Sequence, residues 1–305
     1  MLGGPNQRQH VVEFKDGTGV IQDGIVVNSA SGPWTWVVPT GVRLLLVSGV
    51  GGGSGGTGGT NNATSTGGGG GGGPGLSMFN APVFVTPGAS LTITLGAGGT
   101  GGTPTTGSTN GGDTTVSGLY FQPYGEGTVF KLFGGGANQT TRTDGAGQDS
   151  GSVGGNAPGS NASPGLAGGT SAATPTNATG AARLSLYGYY LAVRGTGGGG
   201  ASTNPATSGA NGGSNTQTNN YAMISANSAV SAIDWGSGNT TGTVSRGGGG
   251  IGGFSRFGYG GSGGNGGVDG GDATGYGAGG GGGGGGANGG DGSVGYLYIT
   301  YWEVD

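Results

Sequence analysis

The chain has 305 residues, among them 89 glycines, 12 prolines and no cysteine, with nine Lys or Arg against 13 Asp or Glu and a net charge of −4. Without cysteine there are no disulfide staples or thiolate metal sites, and without a cluster of Lys and Arg the chain cannot neutralise a run of nucleic-acid phosphates. No apolar stretch approaches the ~20 residues of a membrane span, and Met1-Leu2-Gly3-Gly4-Pro5 has no signal-peptide core, so neither nucleic-acid binding nor membrane insertion is expected.

In chain order, short β-branched segments come first, at 11–14 and 24–27, with Lys15-Asp16-Gly17 offering turn chemistry between them. Residues 34–47 read as two apolar strands about the turn Pro39-Thr40-Gly41. A first glycine region follows, in which 67–73 are all glycine. Residues 82–95 repeat the two-strand pattern about Pro87-Gly88, a pair suited to a type II turn. Leu91, Ile93 and Leu95 face one side there, and Thr92 and Thr94 the other. Further strands are predicted at 114–121, 128–133, 183–193 and 294–304, and helical spacing of Met223, Ala226, Val230 and Ile233 suggests a helix over 221–233. A second all-glycine run occupies 279–286.

Glycine at this level usually marks disorder or collagen. Collagen needs glycine at every third position, and the doubled and tripled glycines of 51–59 break that register. The runs also have defined ends. Strands lead into glycine at 46–51, 94–99, 132–136 and 193–197, and Gly-Gly-Asp returns the chain at Gly111-Gly112-Asp113 and Gly289-Gly290-Asp291. Packed polyproline II-type helices of glycine fit this pattern: they make no internal hydrogen bonds, and without Cβ atoms neighbouring backbones approach closely enough to bond one another. The fold expected is mainly β, with short strands clamping a bundle of polyglycine helices. The aspartates at the Gly-Gly-Asp corners read as turn formers that bond their own backbone.

The stretch 36–49 followed by glycine, the hairpin 85–99, Asn110-Gly111-Gly112-Asp113-Thr114 and the closing 289–294 with its apolar strand resemble, in order, the glycine-rich domain of tailed-bacteriophage tail fibres and receptor-binding tip proteins. The resemblance covers 33–305. It implies a virion fibre or tip protein, usually a homotrimer, whose loops contact a host surface glycan or outer-membrane protein. Residues 1–32 would then attach the chain to other tail or appendage proteins, and 33–305 would form the glycine-rich body. A purely structural collar, baseplate or head fibre is the alternative; an ice-binding protein is a further one, against which stands the lack of regular Thr or Ala spacing.

Catalytic chemistry is thinly represented. His10 is the single histidine, beside an N-terminal strand, and gives serine nucleophiles no evident base. Asp113, Glu126, Asp144 and Asp149 form the densest carboxylate group a glycan-cleaving site could use, and Asp269, Asp272 and Asp291 could offer oxygens to calcium. The expectation is no enzyme, no cofactor and no metal. Binding chemistry is better represented: Tyr221, Asp234 and Trp235 lie in the polar region 201–241, and Phe254-Ser255-Arg256-Phe257-Gly258-Tyr259 forms an aromatic island among glycines. Aromatic faces stack on sugars, and Tyr, Trp and Arg dominate interface hot spots. Tyr221, Asp234, Trp235, Arg256, Phe257 and Tyr259 are therefore the candidate receptor-binding residues. Tyr187, Tyr189 and Tyr190 lie on a predicted strand and read as core.

Overall fold

The computed structural model describes residues 7–60, 65–119, 125–126, 128–137, 183–186, 190–193, 239–241 and 244–304. No helix occurs among them, and the strands form four sheets. The largest has nine strands: β1 (Gln7–Lys15), β2 (Gly19–Gln22), β3 (Ile25–Asn28), β5 (Leu44–Val50), β7 (Ser77–Phe84), β12 (Arg183–Leu186), β13 (Tyr190–Val193), β16 (Phe254–Ser255) and β19 (Tyr296–Val304). A five-stranded sheet holds β4 (Trp34–Val37), β8 (Ser90–Thr94), β9 (Thr114–Ser117), β10 (Gly125–Glu126) and β11 (Val129–Leu132). Smaller sheets join β6 (Ser65–Thr66), β14 (Asn239–Thr241) and β15 (Val244–Arg246), and β17 (Phe257–Tyr259) with β18 (Thr274–Tyr276).

The two large sheets share one core. Val12, Phe14, Leu45, Val47, Leu297 and Ile299 come from the larger sheet, and Leu91, Ile93, Val116, Phe130 and Leu132 from the five-stranded one. Period-two alternation puts them there, as in 91–94, where Leu91 and Ile93 are buried and Thr92 and Thr94 exposed. The predicted strand pairs are present, but not as hairpins. β4 and β5 belong to different sheets, as do β7 and β8, and pairing runs across them: β4 with β8, β5 with β7. The type II turn at Pro87-Gly88 forms as expected, with the Ala89 N–H donating to the Thr86 carbonyl at 3.0 Å and Gly88 at φ 79°. It makes a corner between sheets, because both layers must receive an apolar face from one short stretch of chain. β1 pairs with β19 from Gln7 opposite Val304 to Phe14 opposite Leu297, so the first and last of these strands share a sheet.

The glycine regions are ordered by backbone hydrogen bonds with a three-residue repeat. In the central segment, 51–60, the N–H groups of Gly51, Ser54, Thr57 and Thr60 donate to Leu76, Gly73, Gly70 and Gly67; those of Gly52 and Gly55 to Gly112 and Thr109; and those of Gly53, Gly56 and Gly59 to Ser293, Gly290 and Ala287. Its carbonyls accept from Gly99 and Gly102, from Gly280, Gly283 and Gly286, and from Gly135. Three donor directions and three acceptor directions thus alternate around the segment. Residues 51–60 are all buried, and the geometry explains why they are so nearly all glycine. A Cβ on Gly56 would meet the Gly281 carbonyl, one on Gly55 the Thr100 carbonyl, and one on Gly282 the Gly69 carbonyl.

Three positions in the segment carry side chains, and all face the run 67–73. The Ser54, Thr57 and Thr60 hydroxyls accept from the N–H groups of Gly73, Gly70 and Gly67 at 2.7, 2.7 and 2.6 Å. The carbonyls of these three residues accept instead from Gly280, Gly283 and Gly286, so on this side the hydroxyls supply the acceptors.

The Gly-Gly-Asp corners differ from the expectation. Asp113 accepts from the Gly134 N–H at 2.9 Å, Asp291 from Gly101 at 2.7 Å, and Asp272 from Asp291 at 2.8 Å. Asp269 accepts from Asn288 at 2.7 Å. These carboxylates bond the next segment rather than their own turn, because glycine leaves N–H groups at segment ends that have no partner in the repeat. The predicted helix at 221–233 lies outside the described residues.

Candidate functional site

Along β19 the residues alternate between the two faces of the large sheet. Leu297, Ile299 and Tyr301 enter the core, while Tyr296, Tyr298 and Trp302 stay partly exposed on the outer face. Neighbouring strands extend that outer face sideways at matched levels: Thr300 lies opposite Val11 on β1 and Leu46 on β5, Tyr298 opposite Glu13 and Ser48, and Trp302 opposite Gln9.

The result is an open groove of about 550 Å³. Its floor is Val11, Leu46 and Thr300, and Trp302, Tyr298 and Phe79 supply aromatic walls. Gln9 and Asn80 contribute amides at its edges. The volume lies within the range of small-ligand sites.

The walls are held from behind. The Arg256 guanidinium sits 3.9 Å from the centre of the Phe79 ring, within cation–π distance. Arg256 is 7 % exposed, and burial holds its pKa below the ordinary arginine value. Phe257 meets Tyr296 and Tyr298 edge-on at 5.4 and 6.5 Å, Phe79 meets Tyr298 edge-on at 6.4 Å, and Tyr276 stacks on Tyr296 at 4.7 Å. Burial, followed by the nearby Glu13 charge, pushes the Tyr296 hydroxyl far up; burial also raises Tyr298.

Asn80 has φ 52°, a left-handed conformation that few non-glycine residues adopt and that asparagine tolerates best. It lies within the irregularity of β7 opposite Ser48, where the pairing shifts from Val47 with Ala81 to Gly49 with Met78. Its N–H donates to the Ser48 hydroxyl at 2.8 Å, and its side-chain carbonyl accepts from the same hydroxyl at 3.3 Å. With the amide oxygen fixed on Ser48, the NH2 end is left for the groove.

A family model described as a glycine-rich domain matches residues 28–302. The chain belongs to the glycine-rich domain family. No curated protein is similar enough to count as a match.

Of the six residues that the sequence marks for binding, this glycine-rich domain brings Arg256 and Phe257 to the groove, as supports for its walls. Tyr259 is partly buried on β17 opposite Thr274. Tyr221, Asp234 and Trp235 lie outside the described residues, as do Tyr187, Tyr189, Asp144 and Asp149; the side chains of Tyr190 and Glu126 are likewise not described. His10 holds β1 to its neighbours: its Nδ1 is 2.7 Å from Asp23, its Nε2 3.5 Å from Glu303, and its ring stacks on Tyr301. The Val11 N–H, then His10, holds the Asp23 carboxyl below its ordinary value. Among the described residues, no three His, Asp or Glu side chains gather to hold a metal ion.

Sequence reasoning missed Trp302, Tyr298, Phe79, Asn80 and Gln9. The aromatic alternation Tyr296, Tyr298, Trp302 on the last strand was a readable signal. The Asn80 position depends on a register shift between strands distant in sequence and left no local mark.

Proposed function

We propose that the protein is a bacteriophage tail fibre or tip protein, a structural component of the virion that adheres to the host cell surface. The observation that carries this reading is the three-residue hydrogen-bond repeat around 51–60, in which backbone groups bond six neighbouring segments. That repeat supports polyglycine helices of the polyproline II type, which have three residues per turn and no internal bonds. A body built this way takes its order from the main chain and leaves side chains at its surface and connections available for recognition. Such a division suits a rigid extracellular appendage without disulfides.

Self-association, read here as a homotrimer, is supported by the edge of the large sheet. β3 ends the strand order, pairs with β2 alone, and leaves Ile25, Val26 and Val27 at 69, 51 and 57 % exposure. Apolar side chains on a free edge favour pairing with another chain. Attachment to other tail proteins is assigned to 1–32, the segment that includes this edge.

The test has two parts. Electron microscopy of virions labelled on this chain is expected to place the label at a tail fibre or tip. Purified protein is expected to adsorb to host cells and block infection. A label at the collar, baseplate or head, with neither adsorption nor blocking at saturation, would establish the purely structural alternative.

A further inference from the structure

We propose that the groove on the outer face of the large sheet binds a neutral oligosaccharide, stacked on Trp302 and Tyr298 and bonded by Gln9 and Asn80. This deepens the adhesive reading by naming the ligand chemistry and its site.

The lining selects the class of ligand. Val11, Leu46, Phe79, Tyr298 and Trp302 give the groove an apolar surface, and Gln9, Asn80 and Thr300 give it hydrogen-bonding groups; none of the residues that line it is charged. The charged side chains nearby are otherwise engaged: Glu13 with Lys15 and the Tyr296 hydroxyl, Arg256 against Phe79, and Glu303 towards His10 on the opposite face. A phosphorylated or acidic ligand would lose its hydration without gaining a counter-charge. A purely aliphatic ligand would cover the Asn80 and Gln9 amides and leave them unpaired. A pyranose presents C–H faces to aromatic rings and hydroxyls at its rim, which matches both halves of the lining.

An extended peptide fits less well. At the floor of the groove Val11, Leu46 and Thr300 are each partnered on both sides, Val11 by β19 and Asp23, Leu46 by β19 and β7, and Thr300 by β1 and β5, so no backbone edge is open there for strand addition. Tyr298 and Trp302 are four residues apart on one face, roughly 13 Å at strand rise, a span suited to a short chain of sugar rings. The walls are also preorganised. Arg256 and Phe257 fix Phe79 and Tyr298 from behind, and Ser48 fixes the Asn80 amide in a left-handed backbone conformation. A binding residue in a rarely populated backbone region is the kind of local strain that concentrates at functional sites, and preorganisation lowers the ordering cost of binding.

The probes are cellohexaose, maltohexaose and chitohexaose, with hexagalacturonate as the acidic comparison, each titrated into the full chain by calorimetry and by ligand-observed NMR. At least one neutral hexamer is expected to bind saturably, with affinity insensitive to salt. Trp302→Ala should weaken binding at least tenfold while the melting temperature holds, and Gln9→Lys, an exposed change that puts a charged side chain at the rim, should do the same if Trp302→Ala fails to fold. Tyr259→Ala should leave affinity unchanged. No binding by any neutral hexamer, binding by hexagalacturonate alone, or equal affinity in the wild type and a folded groove variant would overturn the proposal. The two readings fail separately. Oligosaccharide binding by a protein that does not adsorb to cells keeps the groove and removes adhesion. Adsorption that persists at full strength in the groove variants keeps adhesion and removes the groove as its site.

Discussion

At the scale of single residues, the glycines divide into two kinds with different costs of replacement. Gly88 needs its φ of 79° and has open space where a Cβ would go, so Gly88→Ala is expected to cost about 1 kcal/mol, the ordinary penalty of a left-handed backbone. Gly282 has no such φ requirement, but its Cβ would meet the Gly69 carbonyl, and the Gly282 N–H already donates to Gly250. Relief requires two backbones to separate and break bonds on both sides. Gly282→Val is therefore expected to destabilise by more than 4 kcal/mol, within the range of severe overpacking and lost buried hydrogen bonds. Chemical denaturation of the two variants checks the contrast; equal stability would mean that close backbone approach does not order the glycine segments.

At the scale of elements, the central segment depends on the three hydroxyls that face its neighbour. Thr57 is 3 % exposed, and its Oγ1 takes the N–H of Gly70. Thr57→Ala leaves that donor without its partner, at an expected cost of about 1–3 kcal/mol, whereas Thr105→Ala, on an exposed turn, should change stability by less than about 0.5 kcal/mol. Thr57→Ser should recover most of the loss, which separates the hydroxyl from the methyl. Amide exchange at Gly70 is the direct readout, expected to quicken in Thr57→Ala and to remain slow in Thr57→Ser. Sequence reasoning missed the three-residue spacing of Ser54, Thr57 and Thr60, a local signal, but the strand positions around the glycine were legible. So were the ends of the glycine runs and the alternation of 91–94, because each reflects a local period. Partner choice was not legible. That β4 pairs with β8 and β5 with β7, and that Asp291 reaches Gly101, depends on contacts between distant parts of the chain. The groove was hidden for the same reason, since Gln9, Leu46, Asn80 and Trp302 come from four separate strands.

At the scale of the whole molecule, β19 joins the parts: it pairs with β1 near the N-terminus and with β5 at the entry to the glycine region, and it carries three tyrosines and Trp302, spread over both faces of the sheet. All three tyrosines have hydroxyls shifted upward from the ordinary 10.0, Tyr296 and Tyr298 on the outer face and Tyr301 in the core, in each case chiefly through burial; Tyr301 reaches about 12. For an acid whose folded pKa is raised, the unfolded chain loses its proton first. The stability associated with the neutral hydroxyl is therefore complete below pH 10 and falls as pH rises past 10, with the Tyr301 contribution exhausted above about 12. Tyr301→Phe keeps the ring against His10 and Trp36 but removes the ionising hydroxyl. Its melting temperature is expected to decline less between pH 10 and 12 than that of the wild type, while ultraviolet absorbance titration of the wild type shows its tyrosinate band rising with loss of the sheet. Identical alkaline profiles for Tyr301→Phe and the wild type would mean that this strand does not couple tyrosine ionisation to the fold.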